Sequence, residues 1–269
     1  MKKELHKFRR RKNIIKEFDR LEDERASIFI IHYSCESFYD IQDGRTPRIT
    51  SIAIRNYATG QTKSFSIHCS AEILKIHHNQ ISSEDLNRLE KHLLDDFFAS
   101  IANIGSMQNV RYVHWNMRDN NYGFSAIEHR YRILEGTPYI IPDDRKFDLA
   151  RALYTIYGST YAPNKPNGRL HNLCEQNHVT KMNLLTGKEE AEAFSNKEFT
   201  KLHLSTLRKV DIIATILEKT IDGTLKTKAS WKDQYMIYPA VILDFISTHW
   251  LFKLLVILVS LYAGYKMFF

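Results

Sequence analysis

The apolar positions change period several times along this chain, and each change marks an element. Over residues 1–25, Leu5, Phe8, Ile14, Ile15, Phe18 and Leu21 recur at helical spacing between blocks of Lys and Arg, which predicts a basic amphipathic helix. Residues 27–33 are a short run of apolar and β-branched side chains, the pattern of a buried strand. Residues 48–56 alternate, Thr59-Gly60 forms a turn, and residues 63–68 return as a third strand of an antiparallel meander. Helical spacing resumes over 84–101, where Leu86, Leu89, Leu93, Leu94, Phe97 and Phe98 share a face. A strand over 109–115, a helix over 123–134 and helices from 148–154, 170–176 and 201–219 follow; 180–200 reads as a polar, partly helical insertion. Three strands followed by alternating helices and strands predict an α/β fold, a mixed sheet flanked by helices.

The pattern changes again at the end. Between Trp250 and Phe269 the only charged residues are Lys253 and Lys266. A helix needs roughly 20 residues to cross about 30 Å of hydrocarbon, so a single transmembrane helix is expected over 248–269. Trp250, Tyr262 and Tyr265 suit the two interfaces, and the lysines can snorkel. Residues 235–248 are apolar but carry Asp244, and Pro239 starts or kinks a helix there. The expected organisation is therefore a basic helix (1–25), a ligand-binding domain (26–220), a linker with a juxtamembrane helix (221–247) and the span. Charge at membrane depth is costly and usually functional, so Asp244 and Lys253, with Ser260 on the same span, are the candidate pore or membrane residues.

Charge adds direction. Lys and Arg number 38 against 31 Asp and Glu, a net charge of +7. That surplus favours anionic partners, either nucleic acid or membrane lipid headgroups. It is also expected to keep the amino-terminal domain on the cytoplasmic side of the membrane, and the first residues hold no apolar core typical of a signal peptide. Cys35, Cys69 and Cys174 lie far apart without a CxxC, which excludes a disulfide scaffold or a cysteine zinc cluster.

Three segments carry candidate chemistry. The first strand ends Tyr33-Ser34-Cys35-Glu36. A later strand runs into Val113-His114-Trp115-Asn116-Met117-Arg118-Asp119-Asn120. Leu170-His-Asn-Leu-Cys-Glu-Gln-Asn-His-Val179 is followed, after the insertion, by Asp211-Ile-Ile-Ala-Thr215. Over residues 27–220 this order resembles the DEDD family of 3′-5′ exonucleases, which have an RNase H-like fold. The resemblance implies a two-metal site at which several carboxylates converge on Mg²⁺ ions about 3.5–4 Å apart. This chain departs from the family pattern at its centre. Ser34 stands where a metal-bridging Asp is expected, although Glu36 remains. Asp119 or Asn120 fills the second position, depending on whether His114 or Asn116 is aligned. Thr206 stands where the general-base His belongs, with His203 one turn earlier.

The resemblance therefore implies a groove for a single-stranded oligonucleotide that binds without cutting, without a catalytic residue or a cofactor. Ser34, Glu36, Phe38, His114, Asn116, Asp119, His203, Thr206 and Asp211 are its expected binding residues. Aromatic side chains Tyr33, Phe38, His114 and Trp115 are candidates to stack on bases. Fused to a membrane helix, the plan is similar to the membrane effector of the Hailong anti-phage system, which implies antiviral defence through an ion channel. One helix per chain cannot enclose a pore, so a homo-oligomer is required, expected as a tetramer. A nucleotidyltransferase encoded nearby is the implied source of the ligand. The alternative is an active membrane-tethered exonuclease using two Mg ions, with Asp40 or Asp43 replacing the missing Asp and His203 the missing base. A plain membrane adaptor for a partner protein is a third class.

Overall fold

The computed structural model describes residues 2–36, 46–77, 81–118 and 122–231, with Leu254 and residues 257–259. The basic segment forms α1 (Lys2–Asp23), followed by the meander β1 (Ile28–Cys35), β2 (Ile49–Asn56) and β3 (Thr62–Ser66). Next come α2 (Ile67–Ile73), α3 (Ser83–Gly105), β4 (Arg111–His114), α4 (Phe124–Ile133), β5 (Lys146–Asp148) and α5 (Leu149–Tyr157). The chain then forms α6 (Arg169–Gln176), α7 (Gly187–Ser195) and α8 (Phe199–Ile221). The strands form one mixed sheet in the order β3-β2-β1-β4-β5. β2 runs antiparallel to both its neighbours, whereas β1, β4 and β5 are mutually parallel.

β1 is buried along its whole length, as a central strand covered on both faces must be. Its alternation sorts the core into two layers. Phe29, Ile31, Tyr33 and Cys35 face α3 and α4, where they meet Leu89, Leu93, Phe97 and Ile127. Ile28 and Ile30 face α5, α6 and α8, meeting Leu149, Leu153, Leu173 and Ile213. The next residues on that second face are His32 and Ser34, so the same strand carries polar groups under α8. The β1–β2 register shifts between Ser34 and Cys35, and such a bulge re-aims the side chains beside it.

Element boundaries differ from the sequence expectation by a few residues, and the clearest differences have a local reason. The third strand stops at Ser66 because that hydroxyl caps the next helix, accepting from Cys69 N–H; Ile67 and His68 are therefore helical. β5 was not expected as a strand: its three residues are too short to show a period, and Asp148 at once caps α5. The helix over 84–101 extends to Ser83–Gly105 behind a capping box of Ser82 and Asp85. α1 belongs to the domain, since Phe18 and Leu21 are buried in the second layer and Phe18 meets Phe147 edge-on. No helix among the described residues is long and apolar enough to cross a membrane; the expected span and juxtamembrane helix lie almost wholly outside the described residues.

A buried ionic network ties β2 to the α3–α4 layer. Glu90, fully buried, accepts from Arg130 Nε and NH2 at 2.8 Å each and from Ile49 N–H at 2.8 Å. Arg48 Nε stands 3.3 Å from Glu90, and Arg48 NH2 donates to Asn87 at 2.7 Å. Burial holds the Glu90 carboxyl above its ordinary pKa, opposed by Arg130 and Arg48. Glu90→Ala strands two buried guanidinium groups, and chemical denaturation is expected to report a loss of about 3–5 kcal/mol. Lys188→Ala, at an exposed pair with Glu192, should leave the midpoint unchanged.

Candidate functional site

The polar residues of β1, β2 and α8 meet beneath α7. Ser51 and Thr206 hydroxyls lie 2.5 Å apart, Thr206 donates to Ser34 at 2.9 Å, and Ser34 donates to Glu190 Oε1 at 2.8 Å. The same carboxylate oxygen accepts from Ser205 at 3.0 Å and from the Lys209 ammonium at 2.6 Å. Positions 202, 205, 206 and 209 share one helical face, and Glu190 arrives from α7 to neutralise the buried lysine. A buried ion pair is tolerated when its remaining lone pairs are used, and here three donors converge on one oxygen.

This donor set does not fit Mg²⁺. A divalent pair needs several converging oxygen anions; the cluster offers hydroxyls and one carboxylate already held by an ammonium. Among the described residues no group of three or more His, Cys, Asp or Glu could hold a metal.

Of the expected binding residues that are described, the structure brings Ser34 and Thr206 together, sets Asn116 in the cavity wall and disperses Glu36, His114, His203 and Asp211. Glu36 accepts from Arg48 N–H at 2.7 Å and belongs with the ionic network. Asp211 instead pairs with Arg55 of β2, at 3.2 Å. His203 sits under β3, its Nε2 2.8 Å from Ser64 Oγ and its Nδ1 3.8 Å from Cys69 Sγ. His114 is buried, with Nδ1 accepting from Met117 N–H at 3.1 Å and its ring edge-on to Phe124. Tyr33 is core, stacked on Tyr122 at 4.7 Å. Phe38, Asp119, Asp244, Lys253 and Ser260 lie outside the described residues.

Beside the cluster, at the carboxyl-terminal side of β4 and β5, opens a cavity of about 760 Å³. Open α/β sheets bind ligands at such a crevice. His32 from β1 forms part of its wall, and electrostatic coupling to Lys209 relates it to the cluster. Trp115 and Tyr154 supply aromatic surface, and Arg10, Arg118, Arg151 and Arg169 supply charge. Asp148 organises this wall. It caps α5 by accepting from Arg151 N–H at 3.2 Å, accepts from Asn116 N–H at 3.2 Å and pairs with Arg118. Asn116 adopts a left-handed φ of 57°, which Asn tolerates better than most residues, and the chain thereby turns Trp115 and Arg118 toward the opening.

The charge in the cavity is unbalanced. Among the described residues, Arg10, Arg151 and Arg169 have no carboxylate partner, and Arg169 instead lies 5.6 Å over the Tyr161 ring. Arginine suits planar phosphate recognition, and a concave wall concentrates its field. Ser51, Glu190, Ser205, Lys209 and the arginines were missed in sequence; the α8 spacing was the one available signal.

His32 and His114 are neutral in the fold. Burial, the largest effect, holds His114 down at about 4 and His32 well below the ordinary histidine range, where Lys209 also opposes its protonation. The unfolded chain therefore takes up protons that the folded chain refuses once the pH falls below about 6.5. Stability is retained above that value and lost as pH drops toward 4, by ~1.4 kcal/mol per pH unit for each histidine. Denaturation at pH 7 and pH 5 should show this loss. An undiminished slope in a His32→Asn/His114→Asn variant would assign it elsewhere.

No family model, no curated protein and no solved structure matches this chain.

Proposed function

We propose that this domain is a receptor that holds a single-stranded oligonucleotide without cutting it, tethered to a membrane by the tail. The observation that carries the reading is the cleft at β4 and β5, where three arginines that meet no carboxylate among the described residues stand beside Trp115 and Tyr154. A phosphate backbone answers the guanidinium groups, and exposed aromatic faces accept bases of any sequence. The centre beside the cleft supports binding over cleavage, because Ser34, Thr206 and the Lys209–Glu190 pair offer hydroxyls and one neutralised carboxylate rather than the several carboxylates a two-metal nuclease needs. The sheet order β3-β2-β1-β4-β5 with β2 reversed supports the likeness to an RNase H-like domain.

The membrane part rests on the composition of residues 248–269. One span per chain leads to a homo-oligomer, in the simplest case a tetrameric ring whose conductance the bound strand biases. That plan is a membrane effector of anti-phage defence. The alternative, a two-magnesium exonuclease with His203 as base, has weaker support because His203 is hydrogen-bonded to Ser64 under β3.

The test uses the full chain in detergent with a fluorescein-labelled single-stranded DNA dodecamer of mixed sequence. Anisotropy should report binding that persists in EDTA and weakens with salt, with a log–log slope of about 0.7 per neutralised phosphate. Arg151→Glu/Arg169→Glu should weaken it at least tenfold, on the order of two lost charge-assisted contacts. A ladder of shortened products with Mg²⁺ or Mn²⁺ would overturn the reading. In reconstituted vesicles the protein is expected to carry ions; a monomer without ion flux removes the channel and leaves the receptor.

A further inference from the structure

The cleft has a second compartment. A cavity of about 640 Å³ adjoins the first and shares Arg10, Arg118, Arg151 and Thr155 with it. These four residues come from α1, the segment after β4 and α5, and they stand between the two spaces as a cationic partition. The two sides differ in chemistry. The first compartment holds Trp115, Tyr154 and Tyr161 with the amides of Asn116, Asn164 and Asn167. The second is walled by Met117, Phe124, Phe147 and Ala152. Each volume falls within the range of about 300–1,000 Å³ typical of a small-molecule site.

Charge is distributed to match. In the second compartment Lys146 is paired with Asp143 at 2.8 Å and lies 5.0 Å over the Phe124 ring. Arg118 is paired with Asp148. The cations left over at the partition are Arg10 and Arg151, which meet no carboxylate among the described residues. An anion is therefore best held between the two spaces rather than at the end of either.

We infer that the smallest ligand unit recognised by this cleft is a dinucleotide, with its bridging phosphodiester at Arg10, Arg118 and Arg151 and one base in each compartment. This rests on the oligonucleotide reading and adds a unit length and a position for the phosphate. A mononucleotide can fill one space and meet the arginines, but it leaves the other compartment empty. The first compartment offers a base the faces of Trp115 and Tyr154, and the second offers burial against Met117 and Ala152, so the second base should register in affinity.

The experiment is competition against the bound fluorescein-labelled dodecamer, using the full chain in detergent. A mixture of all dinucleoside monophosphates is compared with the matching mixture of mononucleotides at equal molarity. The dinucleotides are expected to compete at least about fivefold better, the low end for burying one further base. Ser125, exposed on α4 at the rim of the second compartment, provides the control. Ser125→Trp fills that space from outside the core and should bring dinucleotide competition down to the mononucleotide level with the thermal midpoint of the chain unchanged. Equal competition by the two mixtures, with the dodecamer bound, overturns the dinucleotide unit and leaves the receptor standing. Failure of the dodecamer itself to bind overturns the receptor and this inference together. A Ser125→Trp chain that binds dinucleotides as tightly as the parent overturns the placement of the second base.

Discussion

The ammonium of Lys209 is buried against the sheet, and much of the domain follows from the need to answer it. An unpaired charge there would be untenable in a low-dielectric interior. α7 packs on α8 and delivers Glu190, whose bonded oxygen also takes the Ser34 and Ser205 hydroxyls. Ser34 in turn engages Thr206, and Thr206 engages Ser51 on the next strand. One chain of hydrogen bonds thus joins β1, β2, α7 and α8. The polar insertion between α6 and α8, which looks dispensable as sequence, supplies the counter-charge that lets α8 lie on the sheet. The β1 bulge at Ser34 sits within the same chain of contacts.

Much of the fold was legible because its elements are long and their periods clear. β1 and β2 show a buried run and an alternation, and α3 and α8 carry apolar faces over many turns. What escaped was short or decided by a single cap. β5 has three residues, below any detectable period, and its last residue caps a helix. Ser66 looked like the middle of a strand but stops it by capping α2.

The site was less legible for a different reason. Ser34 and Thr206 were both picked out as departures from an expected pattern, and they are hydrogen-bonded. Asp211 was grouped with them through its local motif, yet five residues on from Thr206 it lies roughly 140° around the helix and pairs with Arg55. Glu190 reaches Ser34 across 156 positions, a contact no local pattern announces. The cleft arginines come from four separate segments, so their convergence exists only in the folded chain.

The first helix has two attachments that bear on how the protein can be handled. Its middle gives Arg10 to the cleft, its buried side gives Phe18 and Leu21 to the core, and just beyond its end Arg25 bonds Glu218 of α8 at 2.7 Å. Tyr57 binds the same Glu218 carboxylate, and that end of α8 leads on toward the tail. The amino-terminal helix is thus a strut between the cavity wall and α8. A tag spliced into this helix, or a truncation that trims it for convenience, would disturb the domain at both ends at once; the neutral place for a label is the exposed side of α7.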